Sequence, residues 1–234
     1  MSQVKERPIL FSAPMVRAIL EDRKRVTRRP VKGGQIPTED TSVAAGERHR
    51  WMAIAQRDPR YGFGVFGATE AECAKELEEC ALCPYGKPGD RLWVRETTEA
   101  DYANGAVLSR YAADGEPVLH SGCGDPEYNG SVAHWDYPRK SRPSIHMQRW
   151  ASRILLEITA VRVERLQDIS DEQAKAEGII PHVRGGWHWH PHNPSDVDDW
   201  HQFGFKTPVW AFHDLWVGIN GQKNWDANPW VWVV

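Results

Sequence analysis

The chain has 234 residues, with 29 Lys and Arg against 32 Asp and Glu and a formal net charge of -3. Hydrophobic residues make up 41%, and no run approaches the ~18 consecutive apolar residues of a membrane span. Together with an N-terminus that lacks a signal-peptide apolar region, this excludes a membrane protein and predicts a cytoplasmic one. The near-neutral total also makes the chain a poor candidate for binding long nucleic acid by bulk charge alone.

The elements follow in chain order. Arg7–Phe11 reads as a short strand. Ser12 can cap a helix with Pro14 in its first turn, and the helix runs through MVRAILEDR to about Asp22, with Met15, Ile19 and Leu20 as its apolar stripe. Arg25–Val31 alternates and holds β-formers, so a strand is expected, with Pro30 placing it at an edge. Residues 33–60 are polar and irregular and read as a loop insertion. Ala68–Cys80 reads as an acidic helix. The turn-rich PYGKPGD then launches a strand over Arg91–Glu96, with Leu92 and Val94 on one face. Ala106–Tyr111 is a further strand, and 115–141 a second excursion.

Ser152–Leu166 is the strongest strand signal: Ile154, Leu156 and Ile158 alternate, and Val161 and Val163 continue past a bulge. Ser170 and Gln173 are spaced as a capping box for a short helix that ends at Gly178. Residues 181–206 carry Trp, His, Gly and Pro without periodicity. Pro208–Ile219 reads as a helix with Val209, Phe212, Leu215, Trp216 and Ile219 inward, and WVWVV as a closing strand cut off in mid-pattern. Strands and short helices without a βαβ rhythm give an α+β class, a small barrel-like sheet with helices at its openings. The expected organisation is a single domain over 1–234, with insertions at about 33–83, 112–142 and 180–206.

The charges cluster. Nine Lys or Arg fall in Met1–Lys32 against three Asp or Glu, and five basic residues and no acidic ones in Pro138–Arg153. Lys24, Thr27, Arg28 and Arg29 follow the first helix. Such a cluster can be a solvated strand beside a helix end. It can equally be an anion or nucleobase clamp, because Arg offers a planar fork, Lys a point charge and Thr a hydroxyl. In the second patch Arg139, Lys140, Arg142 and Arg149 interleave with Trp135, Tyr137 and Trp150. That composition suits single-stranded nucleic acid, or a turn-rich loop whose aromatics dock on the core. Cys73, Cys80, Cys83 and Cys123 offer the four thiols of a zinc site. With a single CxxC pair the preferred reading is reduced thiols and no cofactor. His188, His190, His192 and His201, with Asp196, Asp198 and Asp199, could ligate a metal, but no fixed ligand spacing is present and an aromatic loop is preferred. Walker, GxGxxG and GxSxG motifs are absent.

The combination of PILFS-x2-MVRAIL-x-x-RK-x-x-TRR, then PGDRLWVRE, then RLQDIS with AEG and a closing strand resembles the ASCH domain of the PUA-like β-barrel superfamily. In its length the chain resembles the bacteriophage and prophage proteins of that type. The resemblance covers residues 8–29, 84–96, 149–178 and 209–234. It implies a PUA-like small β-barrel with short flanking helices, and a ligand cleft beside the first helix. Some such proteins bind RNA, and one branch hydrolyses the amide of N4-acetylcytidine with a Lys, a Thr and a Glu. That pattern falls here on Lys24, Thr27 and Glu177, with Glu172 as the competing carboxylate. Arg28, Arg29, Arg95, Arg149 and Trp150 become the expected ligand contacts. The ligand expected is a modified nucleoside or single-stranded RNA. A non-catalytic RNA or modified-base binder, a ribonuclease, and a phage accessory protein that meets a host factor through the Trp-rich loop remain alternatives.

Overall fold

The computed structural model describes residues 4–56, 60, 62–80, 83–102, 106–120, 130–190 and 203–234. The first half of the chain forms β1 (Glu6–Leu10), α1 (Ala13–Leu20), β2 (Arg28–Pro30), β3 (Thr38–Glu39), β4 (Trp51–Ile54), β5 (Gly64–Gly67), α2 (Glu70–Cys80), β6 (Arg91–Arg95), β7 (Thr98–Asp101) and β8 (Leu108–Tyr111). The second half adds β9 (Ser141–Arg142), β10 (Leu155–Glu157), β11 (Arg162–Arg165), α3 (Asp171–Ala176), β12 (Ile180–Pro181), β13 (Trp187–His188), α4 (Pro208–Asn220), α5 (Gln222–Asp226) and β14 (Trp230–Val233). The class is α+β. The strands fall into five sheets of two or three strands, and among the described residues none closes into a barrel. No helix among them is long and apolar enough to cross a membrane.

Two compact units emerge, each built from two stretches of chain. The first comprises Met1–Arg23 with Asp90–Glu157. Its central strand β6 pairs parallel with β1 and antiparallel with β10. Leu92, Trp93 and Val94 are all buried, so β6 is covered on both faces and not on the single face its alternation suggested. In α1 the buried residues are Val16 and Ala18, while Leu20 is exposed. Ser12 has the extended backbone of an N-cap but makes no side-chain capping bond. A second sheet, ordered β8-β7-β9, lies in the same unit as a cluster of Tyr111, Val118, Ala133, Met147 and Ala151. The excursion after β8 carries isolated bridges: Leu119 bridges Val132 and Leu108 bridges His134.

The second unit comprises Lys24–Gly89 with Ile158–Val234. Here β14 is central, antiparallel to β11 and β2. β2 is an edge, as Pro30 demands, because proline has no N–H for a second neighbour. All four residues of β14 are buried, so the closing strand is a core strand on both faces. Trp230 and Trp232 join Val31, Val65, Cys73, Leu77 and Val163 in one cluster. Residues 33–60, expected as irregular, carry β3 and β4, which pair with β5. The α2 helix is buried through Cys73, Ala74 and Leu77. Gly67 permits a tight turn into α2: a side chain there would collide with the backbone of Thr69 and Cys73.

The stretch 152–166 is two strands. β10 pairs with β6 in the first unit, and β11 pairs with β14 in the second. Residues 158–161, ITAV, join neither ladder. In α4 Phe212, Leu215 and Trp216 are buried as expected, but Ile219, in the last turn, is 54% exposed.

The capping box is realised in full. Ser170 Oγ accepts from the Gln173 amide at 3.2 Å, and Gln173 Oε1 accepts from the Ser170 amide at 2.9 Å. Because α3 has only six residues, its own hydrogen bonds stabilise it little, and the cap matters more. Ser170→Ala should cost about 1 kcal/mol of unfolding free energy, read from the urea midpoint at constant m; an unchanged midpoint would mean that α3 is held by packing alone.

Candidate functional site

Lys24 leads into β2 and forms an isolated antiparallel bridge with Glu177. The neighbouring amides of Arg25 and Val26 both donate to the Ala176 carbonyl, at 2.8 and 3.2 Å. Thr27 exchanges two backbone bonds with Val234, at 2.9 and 3.0 Å. The segment is therefore stitched on one side to the end of α3 and on the other to the end of β14. Lys24, Thr27, Arg28 and Glu177 are all buried.

The Lys24 ammonium donates to Glu177 Oε2 at 2.5 Å, to the Val26 carbonyl at 2.8 Å and to the Glu177 carbonyl at 3.2 Å. Three acceptors match its three N–H bonds. The other Glu177 oxygen, Oε1, accepts from Arg28 Nη1 at 3.1 Å. Arg28 Nη2 reaches Glu164 Oε2 at 3.1 Å, and Glu164 Oε1 accepts from Arg162 Nε at 2.7 Å. The result is an alternating chain, Lys24–Glu177–Arg28–Glu164–Arg162. Burial ends at Glu164, whose side chain is 21% exposed. The Phe212 ring lies 5.9 Å from the Arg28 guanidinium carbon.

Burial pushes the Lys24 pKa below its usual value; the Glu177 carboxylate opposes this, and the charges of Arg29 and Arg28 add to it. Glu177, and not the exposed Glu172, stands against Lys24.

The other expected contacts divide. Arg29 is half-buried on β2, opposite Trp232. Arg95, Arg149 and Trp150 belong to the first unit. There the guanidinium carbons of Arg95 and Arg149 lie 4.7 and 5.8 Å from the Trp93 ring centre. Arg149 also pairs with Glu6, and Trp150 stacks on His120 at 4.7 Å with an interplanar angle of 16°. Arg142 is buried, paired with Asp136 and placed over Trp135 and Tyr137. Its aromatics are thus engaged by the fold itself. Glu164 and Arg162 were not singled out from sequence, although their i, i+2 spacing on β11 places them on one face.

Cys73 is buried and its thiol is pushed up to about 11 by burial, which disfavours the thiolate a metal needs. Cys83 is buried and Cys80 exposed; Cys123 lies outside the described residues. Among the described residues no three His, Cys, Asp or Glu converge as metal ligands. His188 is buried, with His190 packed at 3.9 Å between ring centres. His192, Asp196, Asp198, Asp199 and His201 lie outside the described residues.

Comparison with protein-family models, with curated proteins and with solved structures finds no match to the chain.

Two outcomes follow from this geometry. Removing one partner of a buried ion pair strands the other charge. Glu177→Ala should therefore cost about 3–5 kcal/mol in urea unfolding, whereas the exposed Glu172→Ala should stay within about 0.5 kcal/mol. Equal effects would deny the pair its structural weight. The second outcome concerns pH. The unfolded chain keeps the lysine proton up to its ordinary pKa of 10.5, while the folded chain releases it earlier. Between those limits the unfolded state holds more protons, so unfolding free energy rises with pH. The difference in stability between the wild type and Lys24→Met should therefore move in favour of the wild type as pH climbs toward 10.5. A difference that does not change with pH would refute a depressed lysine.

Proposed function

We propose that this chain recognises a modified nucleoside and hydrolyses its amide, with N4-acylated cytidine as the substrate class. The observation that carries the reading is the buried contact of Lys24 with Glu177. The ASCH-like sequence pattern and a PUA-like arrangement of the strands belong to the same proposal.

The chemistry needs a nucleophile, a proton carrier and stabilisation of an oxyanion. Thr27 either attacks the acyl carbon, leaving an acyl-threonine that water then hydrolyses, or orients the water that attacks the carbon directly. Glu177 accepts the proton of the nucleophile, and the same proton then goes to the departing N4 nitrogen. The Lys24 ammonium holds the developing negative charge, and Arg28 Nη1 holds the Glu177 carboxylate in place. In the resting state all three lysine donors are engaged, so substrate binding must exchange one of those bonds for the acyl oxygen.

A second reading, a single-stranded RNA binder without catalysis, draws on the first unit. Arg95 and Arg149 lie beside Trp93, and Trp150 carries a stacked ring. This is the composition of a base-stacking surface with a charged border.

The deciding experiment is incubation of the purified chain with N4-acylcytidines and short RNAs, followed by mass spectrometry. Lys24→Ala, Thr27→Ala and Glu177→Ala should each lower deacylation by at least about 100-fold, the usual contribution of a positioned acid, base or oxyanion donor. Full activity in all three would refute the assignment. Intact RNA retained on the protein without turnover would favour the binding module.

A further inference from the structure

Beyond the lysine pair, Arg28 is the most deeply buried cation of the network. Its side chain has no measurable exposure, and its three nitrogens are used unequally. Nη1 is bonded to Glu177 and Nη2 to Glu164, while Nε is buried with no hydrogen-bond partner. The Nε and Nη2 N–H bonds of a guanidinium point the same way, as a side-on fork shaped for the two oxygens of one oxyanion. Glu164 fills only half of that fork. Its Oε2 meets Nη2, and its Oε1 is turned to Arg162.

A buried donor without an acceptor is costly to keep. It makes sense where a ligand supplies the missing acceptor. Glu164 is also the partly exposed end of the buried network, and therefore the carboxylate an incoming anion can displace.

We propose that the Nε/Nη2 fork of Arg28 is an oxyanion subsite, half filled by Glu164 at rest, that takes the phosphate of a nucleoside monophosphate. This rests on the reading of the Lys24–Glu177 site as a cytidine site. It narrows the substrate class from nucleoside to nucleotide. The exchange is between two oxyanions on one guanidinium and needs no covalent step.

The test is calorimetric titration of the full chain with inorganic phosphate, cytidine and cytidine 5′-monophosphate, none of which carries an acyl group to turn over. The monophosphate should bind at least tenfold more tightly than cytidine, with inorganic phosphate competing for it. Arg28→Lys keeps the charge and loses the fork, and should reduce the preference severalfold. Glu164→Gln removes the resident competitor and should strengthen monophosphate binding. Equal affinity for cytidine and its monophosphate in the wild-type chain overturns the proposal whether or not the variants fold. So does phosphate binding that both substitutions leave unchanged. The amidase reading is separable: deacylation of N4-acetylcytidine without phosphate preference retains it and removes the subsite, and phosphate preference without deacylation does the reverse.

Discussion

A lysine ammonium held out of water must have a carboxylate beside it, and much of the second unit is arranged so that Lys24 has one. Lys24 is the first residue of that unit and Glu177 the first after α3. They meet because the Lys24–Val26 backbone is sewn to the end of α3 through Ala176. Ser170 caps the other end of the helix. Gly178 then turns the chain with φ of 103°, a conformation glycine adopts without strain. On the far side Thr27 is paired with Val234, in register with the β2–β14 ladder. Each device is weak alone. Together they fix a carboxylate and an ammonium whose misplacement would leave two buried charges unanswered.

The same constraint explains the tryptophans of β14. A central strand covered on both faces needs large apolar side chains, and Trp230 and Trp232 provide them. Trp230 also donates its indole N–H to Glu70, and Arg165 lies over its ring while pairing with Glu70. The sheet that carries Arg28 is thus fastened to the start of α2 by polar contacts as well as by apolar packing. Rigidity of that kind keeps a guanidinium within a few tenths of an ångström of its partners.

Sequence reading recovered the parts of this design that are local. The Ser170–Gln173 spacing, the edge position implied by Pro30 and the acidic helix before Cys80 are each set by neighbours a few residues away. The pairing of Lys24 with Glu177, separated by 153 positions, came from a resemblance to a family pattern and not from periodicity. What escaped was decided by tertiary contacts. The sheet of β3, β4 and β5 hides in a polar stretch because WMAI and GVFG are too short to show alternation. Residues 152–166 read as one strand, since nothing local announces that Leu156 and Val163 serve different sheets. Glu164 carried no signal of its own. Its role depends on Arg28 across the sheet, which no spacing within β11 encodes.

Two arginine systems show why such a network has to be judged by its unused donors. In the first unit Arg153 bonds both oxygens of Glu96 at 2.9 Å and both of Asp114, at 2.8 and 3.2 Å, through all three of its nitrogens. Its guanidinium carbon stands 3.8 Å from the Tyr111 ring centre. Burial pushes the Glu96 carboxyl up and Arg153 draws it back, while the Tyr111 phenol is pushed to about 12 and stays neutral. Every group there is answered within the fold, and the cluster acts as a brace. Arg28 is more deeply buried and has the same kind of partners, yet one donor is left over and one carboxylate is shared with a half-exposed arginine. A brace completes its own hydrogen bonds, since each buried omission weakens it. A network that stops one acceptor short is suited to meeting that acceptor in a ligand.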